Sequence, residues 1–316
     1  MTNNAEENSF NNFEKSYRIV ALHQLSAGSK RMILGGKEFV CRFCGKGKPE
    51  AKFKKAAHAL PHLIGNNSLF THYECDECNQ HFGNTIERHY AAFMHLDHTF
   101  SGIAGKNGIP KFKAKNANIE STGSFIDWKE VPPENMQLDQ KKGKVIITQQ
   151  IPTFVPVAVY KCLVKMALTI LPEQYFIGFN NTIKWLKEEE HSQTSFPFTK
   201  LSILTGTSTT RTQFKEITAV MAMHKEELNY EIPKFVFRLT YGNFLFSLPI
   251  PLHLDDKMTN WTTIPYLPTT IDLELGFETT TYHMIDFSYR EPAYGLEKTF
   301  TIQDLDGRGI YEEVDA

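Results

Sequence analysis

The sequence predicts an α+β chain in two parts: a small zinc-stabilised module of two strands and a helix, then a larger α+β domain with two helices and an antiparallel sheet. Three observations carry this expectation. Two CxxC pairs, Cys41-Arg42-Phe43-Cys44 and Cys75-Asp76-Glu77-Cys78, bracket residues 45–74. Apolar residues recur at three- and four-residue spacing after the second pair and again from Val157. Beyond Phe235 the apolar period falls to two. Two residues between thiolates let both sulfurs of a pair reach one metal at about 2.3 Å, and two such pairs complete a closed tetrahedral zinc site.

At 316 residues the chain has room for two cores. With 41% hydrophobic and 22% charged residues its composition is that of a soluble protein. No apolar run approaches the roughly 20 residues of a membrane span, and Met1–Asn12 is polar and acidic rather than signal-like. Four of the five cysteines sit in the CxxC pairs, with Cys162 alone in an apolar helical pattern. That usage argues for metal-bound thiolates in a reducing cytoplasm and against a disulfide framework. The net charge of −2 hides an asymmetry. Residues 30–115 hold 14 Lys/Arg against 7 Asp/Glu, a balance of +7, and the rest hold 20 against 29, a balance of −9. The cysteine-bearing region is the basic one, as expected of a module that faces a polyanion, although scattered solvated lysines give the same count.

Residues 1–35 read as a tail with a disordered first dozen residues and a short helix or strand around Tyr17–Leu25. Residues 36–100 form the metal module. Lys48–Lys55 is a basic loop, and Ala57–Ile64 is an extended stretch broken by Pro61 and ended by Gly65. Asn66-Asn67-Ser68 is turn chemistry, and Leu69–Glu74 is extended again. Asp76 to about Met94 reads as a helix with the stripe Phe82, Ile86, Tyr90 and Phe93. Residues 101–150 read as a mobile Gly-rich connector followed by exposed strands. Gly102–Gly108 resembles a phosphate loop but lacks the GK[ST] ending.

Residues 151–316 form the second domain. Its first helix carries Val157, Tyr160, Leu163, Val164, Ala167 and Ile170 on one side and stops at Pro172. A second helix is expected over Glu173–Glu190, with Phe176, Phe179, Ile183 and Leu186 as its stripe. Phe235, Phe237 and Leu239 alternate with polar residues, and Gly242-Asn243 turns the chain into Phe244–Ile250. Further strands are expected near Thr270–Glu278 and Tyr282–Tyr289, and Asp304-Leu305-Asp306-Gly307 reads as a turn rather than a calcium loop.

The insert between the cysteine pairs and its flanks resemble the HNH endonucleases, the ββα-metal nucleases, in their zinc-containing form. The likeness rests on Cys41-x-x-Cys44, Ala57-His58-Ala59-Leu60-Pro61, Leu63-Ile64-Gly65-Asn66, Cys75-Asp76-Glu77-Cys78-Asn79, Phe82-Gly83 and Ile86-Glu87, in that order and spacing. The resemblance implies a metal-dependent enzyme that hydrolyses DNA phosphodiester bonds. Its first-strand histidine, the general base, maps onto His58. Its helix-borne ligand of a single Mg²⁺ or Mn²⁺ maps onto Asn79. Its loop asparagine falls on Asn66 or Asn67, with Asn66, directly after Gly65, preferred. Cys41, Cys44, Cys75 and Cys78 hold the structural zinc. Many members carry Asp, Glu or His immediately before the base, where this chain has Ala57. Either another side chain completes the cation site or binding there is weak. Glu87, about two helical turns beyond Asn79, is the leading candidate, with His62 and His81 behind it.

Each of these residues also has a plainer reading. Histidine on a strand is commonly structural, and Asn79 at a helix start can simply cap. His62, His72, His81, His89, His95 and His98 read individually as surface or phosphate-contacting groups. Lys52, Lys54 and Lys55 read as phosphate contacts or as a solvated loop. The competing function is a non-catalytic zinc-ribbon module that binds nucleic acid or protein, and Ala57 favours it. On the enzyme reading, the C-terminal domain is expected to sense an activating ligand, a partner or a DNA feature. A phage-defence or restriction role and a homodimer for double-strand cutting are the accompanying expectations.

Overall fold

The computed structural model describes residues 15–114, 117–123, 126–139, 143–196, 198–208, 214–225, 233–256, 280–305 and 308–314. The expected strand near Thr270–Glu278, the N-terminal dozen residues, and Asp306-Gly307 of the expected turn lie outside the described residues. The architecture is mixed α+β, with few helices and mainly antiparallel sheets. No helix among the described residues is long and apolar enough to cross a membrane.

The lead-in is a strand, β1 (Tyr17–Ser26), with Tyr17, Ala21 and Leu25 buried. Their four-residue spacing satisfies a helical turn and an alternating strand equally, so sheet pairing decides the outcome. A short strand that the sequence did not announce, β2 (Met32–Leu34), runs parallel to β4 (Leu69–Thr71), which pairs antiparallel with β3 (Ala57–His58). The expected extended stretch Ala57–Ile64 is cut short. After Pro61 the chain makes a 3₁₀ turn over His62–Ile64, closed by Gly65 N–H donating to His62 O at 2.9 Å. Gly65 sits at φ +93°, a left-handed conformation that a side chain resists.

The helix expected after the second cysteine pair forms as α1 (Asp76–Phe82), a π-helical turn over Gly83–Glu87, and α2 (Arg88–Phe93). Asp76 and Glu77 in the first turn suit the positive end of the helix dipole. Phe82, Ile86 and Tyr90 are buried as their spacing predicts. After α3 (His95–Phe100) the expected mobile connector is instead anchored. Ser101 and Ile103 are buried, and Gly105 and Gly108 form a bridge.

A three-stranded sheet follows, β5 (Phe112–Ala114), β6 (Ala117–Ser121) and β7 (Ile126–Glu130). The strands β8 (Met136–Asp139) and β9 (Lys144–Gln150) open a four-stranded sheet. Helix α4 (Pro156–Ile170) matches its expected span, begins with proline where no N–H is needed, and is buried along its whole length. The second expected helix is much shorter than Glu173–Glu190. A 3₁₀ turn at Glu173–Tyr175 is separated from α5 (Asn180–Leu186) by Gly178 at φ +103°, which no α-helix accommodates. A Cβ at Gly178 would also lie 2.5 Å from His253 Nε2.

The large sheet comprises β10 (Ser202–Ser208), β11 (Phe214–His224), β12 (Phe235–Gly242), β13 (Phe244–Pro249) and β14 (Thr280–Asp286), in the order β1-β11-β12-β13-β10-β14. The hairpin expected at Gly242-Asn243 is present, with Tyr241 opposite Phe244. Arg238, Thr240 and Ser247 are nonetheless buried, because this central hairpin is covered on both faces. Finally β15 (Glu297–Leu305) pairs with β9 and with β16 (Arg308–Val314). Strand pairing therefore ties the N-terminal lead-in to β11 and residues 144–150 to the C-terminal strands. One hydrophobic cluster runs from Ala21 to Phe300.

Helix α4 is the element that positions the site. It packs against the π-turn and α2 on one side and against β11 on another. The knuckle grips its C-terminal end: Arg42 Nη1 donates to Leu168 O at 3.0 Å and Leu171 O at 2.6 Å, while its guanidinium lies 3.3 Å from the Tyr73 ring centre.

Candidate metal centre and adjoining cleft

The sulfurs of Cys41, Cys44, Cys75 and Cys78 all lie within 4.8 Å of one another, and Cys44 Sγ is 3.8 Å from Cys75 Sγ. Four ligands at about 2.3 Å in a tetrahedron stand roughly 3.8 Å apart, whereas a disulfide needs about 2.05 Å. The quartet thus has the size of a zinc site, and the cysteines are unbridged. Local backbone prepares it. Gly45 N–H donates to Cys41 O, and Cys75 caps α1 by accepting from Cys78 N–H at 3.5 Å. A hydrogen bond from Cys78 draws the Cys41 thiol down to about 5, burial pushes Cys75 up to about 11, and the Cys41 contact drives Cys78 upward. Four sulfurs this close cannot all ionise without a cation, and a thiophilic dication supplies it.

Beside the quartet lies a cleft of about 700 Å³. His58, His62, Asn79 and Glu87 all line it, together with Asn67 and Phe70. His58, half-buried at the end of β3, packs its ring 4.6 Å from Phe70 and 5.1 Å from His62. Burial, then His62, then Lys165 and Lys106 lower its pKa against the opposing pull of Glu87. The imidazole is therefore neutral at neutral pH, with a basic nitrogen available.

Asn66, 1% exposed, does something different from Asn67. Its amide donates to Leu60 O at 2.6 Å and Leu69 O at 2.9 Å, and its carbonyl accepts from Ser68 and Leu69 N–H. All four of these bonds go to backbone groups, at Leu60, Ser68 and Leu69, so the side chain ties the end of the first strand to the start of the second.

The π-turn matters for Glu87. Eight residues of regular α-helix would leave it about 80° around the axis from Asn79. The widened turn at Gly83–Glu87 takes up that excess, so both side chains reach the cleft. From the C-terminal half, His191 Nε2 sits 3.0 Å from Thr85 O within this turn. His81 is not among the cleft residues, and His98 is buried in the core, 3.0 Å from Tyr241 Oη, rather than at the surface.

Sequence reasoning missed several groups. Asp76 lines the cleft while both its carboxylate oxygens accept from Lys54 N–H at 3.1 Å, fixing the basic loop at the rim. Lys54, Lys55 and Lys106 line the cleft, whereas Lys52 does not. Glu74, 1% exposed, also faces it, and burial pushes its carboxyl up to about 7. Lys165 from α4 reaches the same place, with Nζ 2.9 Å from Glu74 Oε2 and 3.1 Å from Glu87 Oε1. Burial would depress this amine, but the two carboxylates outweigh it and hold it charged. One signal for this was legible: Lys161 and Lys165, four apart on an otherwise apolar helix, each require a buried partner. Lys161 finds Glu188 at 3.1 Å.

Residues 41–94 match the family model described as HNH endonuclease. That segment contains the four cysteines, His58, Asn66, Asn79 and Glu87, and ends long before Lys165. No curated protein and no solved structure matches the chain.

Proposed function

We propose that this HNH-type module is a metal-dependent endonuclease that hydrolyses DNA phosphodiester bonds. The observation that supports the reading is one cleft, beside a zinc-sized thiolate quartet, lined by a neutral imidazole, a carboxamide, a carboxylate and three lysines. His58 takes a proton from the attacking water as its oxygen bonds to phosphorus. The bond to the 3′ oxygen breaks, leaving a 5′-phosphate and, once a proton is regained, a 3′-hydroxyl. Asn79 and Glu87 would hold Mg²⁺ or Mn²⁺, which when bound offsets charge on the phosphate and on the departing oxygen. Lys54, Lys55 and Lys106 orient the backbone without reading sequence. The four thiolates, holding zinc, fix the start of α1 relative to β3, which sets the distance between base and ligand.

The C-terminal half then serves as the receiver of an activating ligand, partner or DNA feature. A cytoplasmic defence or restriction effector, working as a dimer when both strands are cut, is the biological setting that suits this pairing. Incubation with supercoiled plasmid and Mg²⁺ or Mn²⁺, beside His58→Ala, tests the activity. Nicked or linear product from the wild type alone is expected. Ala57, which offers no ligand and is buried against β4, favours a second reading as a nucleic-acid-binding zinc module. Plasmid retained on the protein but intact with either cation, including after addition of phage lysate, would establish that reading instead.

A further inference from the structure

We infer that Lys165 is a positioning residue of the cleft: its ammonium holds Glu87 so that one carboxylate oxygen faces the cation position beside Asn79. The inference rests on the cation reading above and extends it to a residue of α4, outside the family-matched segment.

The charge is in an expensive place. Lys165 is 1% exposed on a helix that is otherwise almost wholly apolar, where a methionine would fill the same space. Buried ion pairs seldom stabilise a fold more than well-packed apolar residues do, so stability alone gives little reason for the ammonium. Its two partners differ in a telling way. Both line the cleft, but the side chain of Glu74 is wholly buried whereas that of Glu87 is 23% exposed. Glu74 therefore fixes Lys165, and Lys165 in turn fixes Glu87. Only Oε1 of Glu87 accepts from the ammonium at 3.1 Å, which leaves Oε2 to the cleft.

The mounting is rigid. Arg42 fastens the end of α4 to the first cysteine pair, Lys161 and Glu188 anchor it one turn before Lys165, and α4 packs directly on the π-turn that carries Glu87. The cleft is thereby completed by the C-terminal half of the chain, which orients Glu87, the carboxylate that stands in for the donor missing at Ala57.

Mn²⁺ titration of the zinc-loaded, full-length protein without DNA, followed by calorimetry and by the electron paramagnetic resonance of free Mn²⁺, tests this. Lys165→Met alone strands Glu74 in the core, so the variant to read is Lys165→Met with Glu74→Met. An apolar pair of similar volume is usually tolerated at a buried ion pair. Wild-type zinc content and a cooperative unfolding transition are expected, with Mn²⁺ affinity reduced at least tenfold, the range for losing a group that orients a metal ligand. Glu74→Gln, which keeps Lys165 on Glu87, should bind Mn²⁺ within a few-fold of wild type. Equal Mn²⁺ affinity in the double Met variant and the wild type would overturn the inference and leave the nuclease reading intact. Wild-type Mn²⁺ binding that ignores Asn79→Ala and Glu87→Gln would remove the cation site itself and both conclusions with it.

Discussion

His58 and His98 show how far placement separates two histidines of one module. His58 is half-buried on a cleft wall, and burial together with nearby cations holds its pKa below the ordinary 6.5. As the proposed base it is competent only when neutral, so the acid limb of kcat/KM should fall below pH 6.5. His58→Ala should lower cleavage by roughly 10²–10⁴-fold with zinc content unchanged. A limb above pH 6.5 in the plasmid assay would exclude His58 as the titrating group. His98 is sealed against Tyr241, and burial lowers its pKa to about 3. It is neutral in the fold but takes up a proton on unfolding below about pH 6.5. Its contribution to stability is therefore complete above pH 6.5 and drains away as pH falls toward 3. The stability advantage of wild type over His98→Gln should shrink by about 1.4 kcal/mol between roughly pH 7.5 and pH 5.5, as measured by urea denaturation.

Between residues and molecule stand two irregular elements that aim side chains. The loop joining β3 to β4 contains a left-handed glycine and a 3₁₀ turn, and Asn66 replaces the missing ladder bonds with four of its own. Asn66→Ala leaves those buried backbone groups unpaired and should destabilise the protein by about 2–4 kcal/mol. Cleavage should drop roughly tenfold to a hundredfold through kcat, because a small displacement of the base is enough. A variant with lowered melting temperature and unaltered kcat would separate the loop from the chemistry. The π-turn is the second such element. Its extra residue rotates Glu87 toward Asn79 and Lys165, and His191 Nε2 meets Thr85 O within it.

Across the whole molecule, the hydrophobic cluster from Ala21 to Phe300 is continuous, and buried polar bridges cross it. Tyr90 and Tyr241 share a hydrogen bond of 2.7 Å, and Lys298 pairs with Asp97. The thiolate quartet lies at one margin of this cluster, since Cys41, Cys75 and Cys78 belong to it. Removing zinc with a strong chelator under reducing conditions should therefore lower the melting temperature of the entire chain. Calorimetry should show one transition moving as a unit. An unchanged upper transition beside a new lower one would mean that the cysteine-bearing part unfolds separately.

The sequence by itself determined what depends on near neighbours. CxxC spacing announced the quartet, apolar periodicity marked α1, α4 and the β12–β13 hairpin, and the residues around His58 pointed to it as the proposed base, which lines the cleft. Signals failed at β2, because a strand of three residues has no period to read, and they overran at β3, which keeps only two residues of the expected stretch Ala57–Ile64. They failed again at Glu173–Glu190, where one left-handed glycine outweighs a helical stripe. Tertiary structure alone decided which charges meet. Glu74 and Lys165 lie far apart along the chain, and nothing local to either identifies the other. Burial removes the water that would otherwise screen them, so their attraction is governed by position in the folded core rather than by order in the sequence.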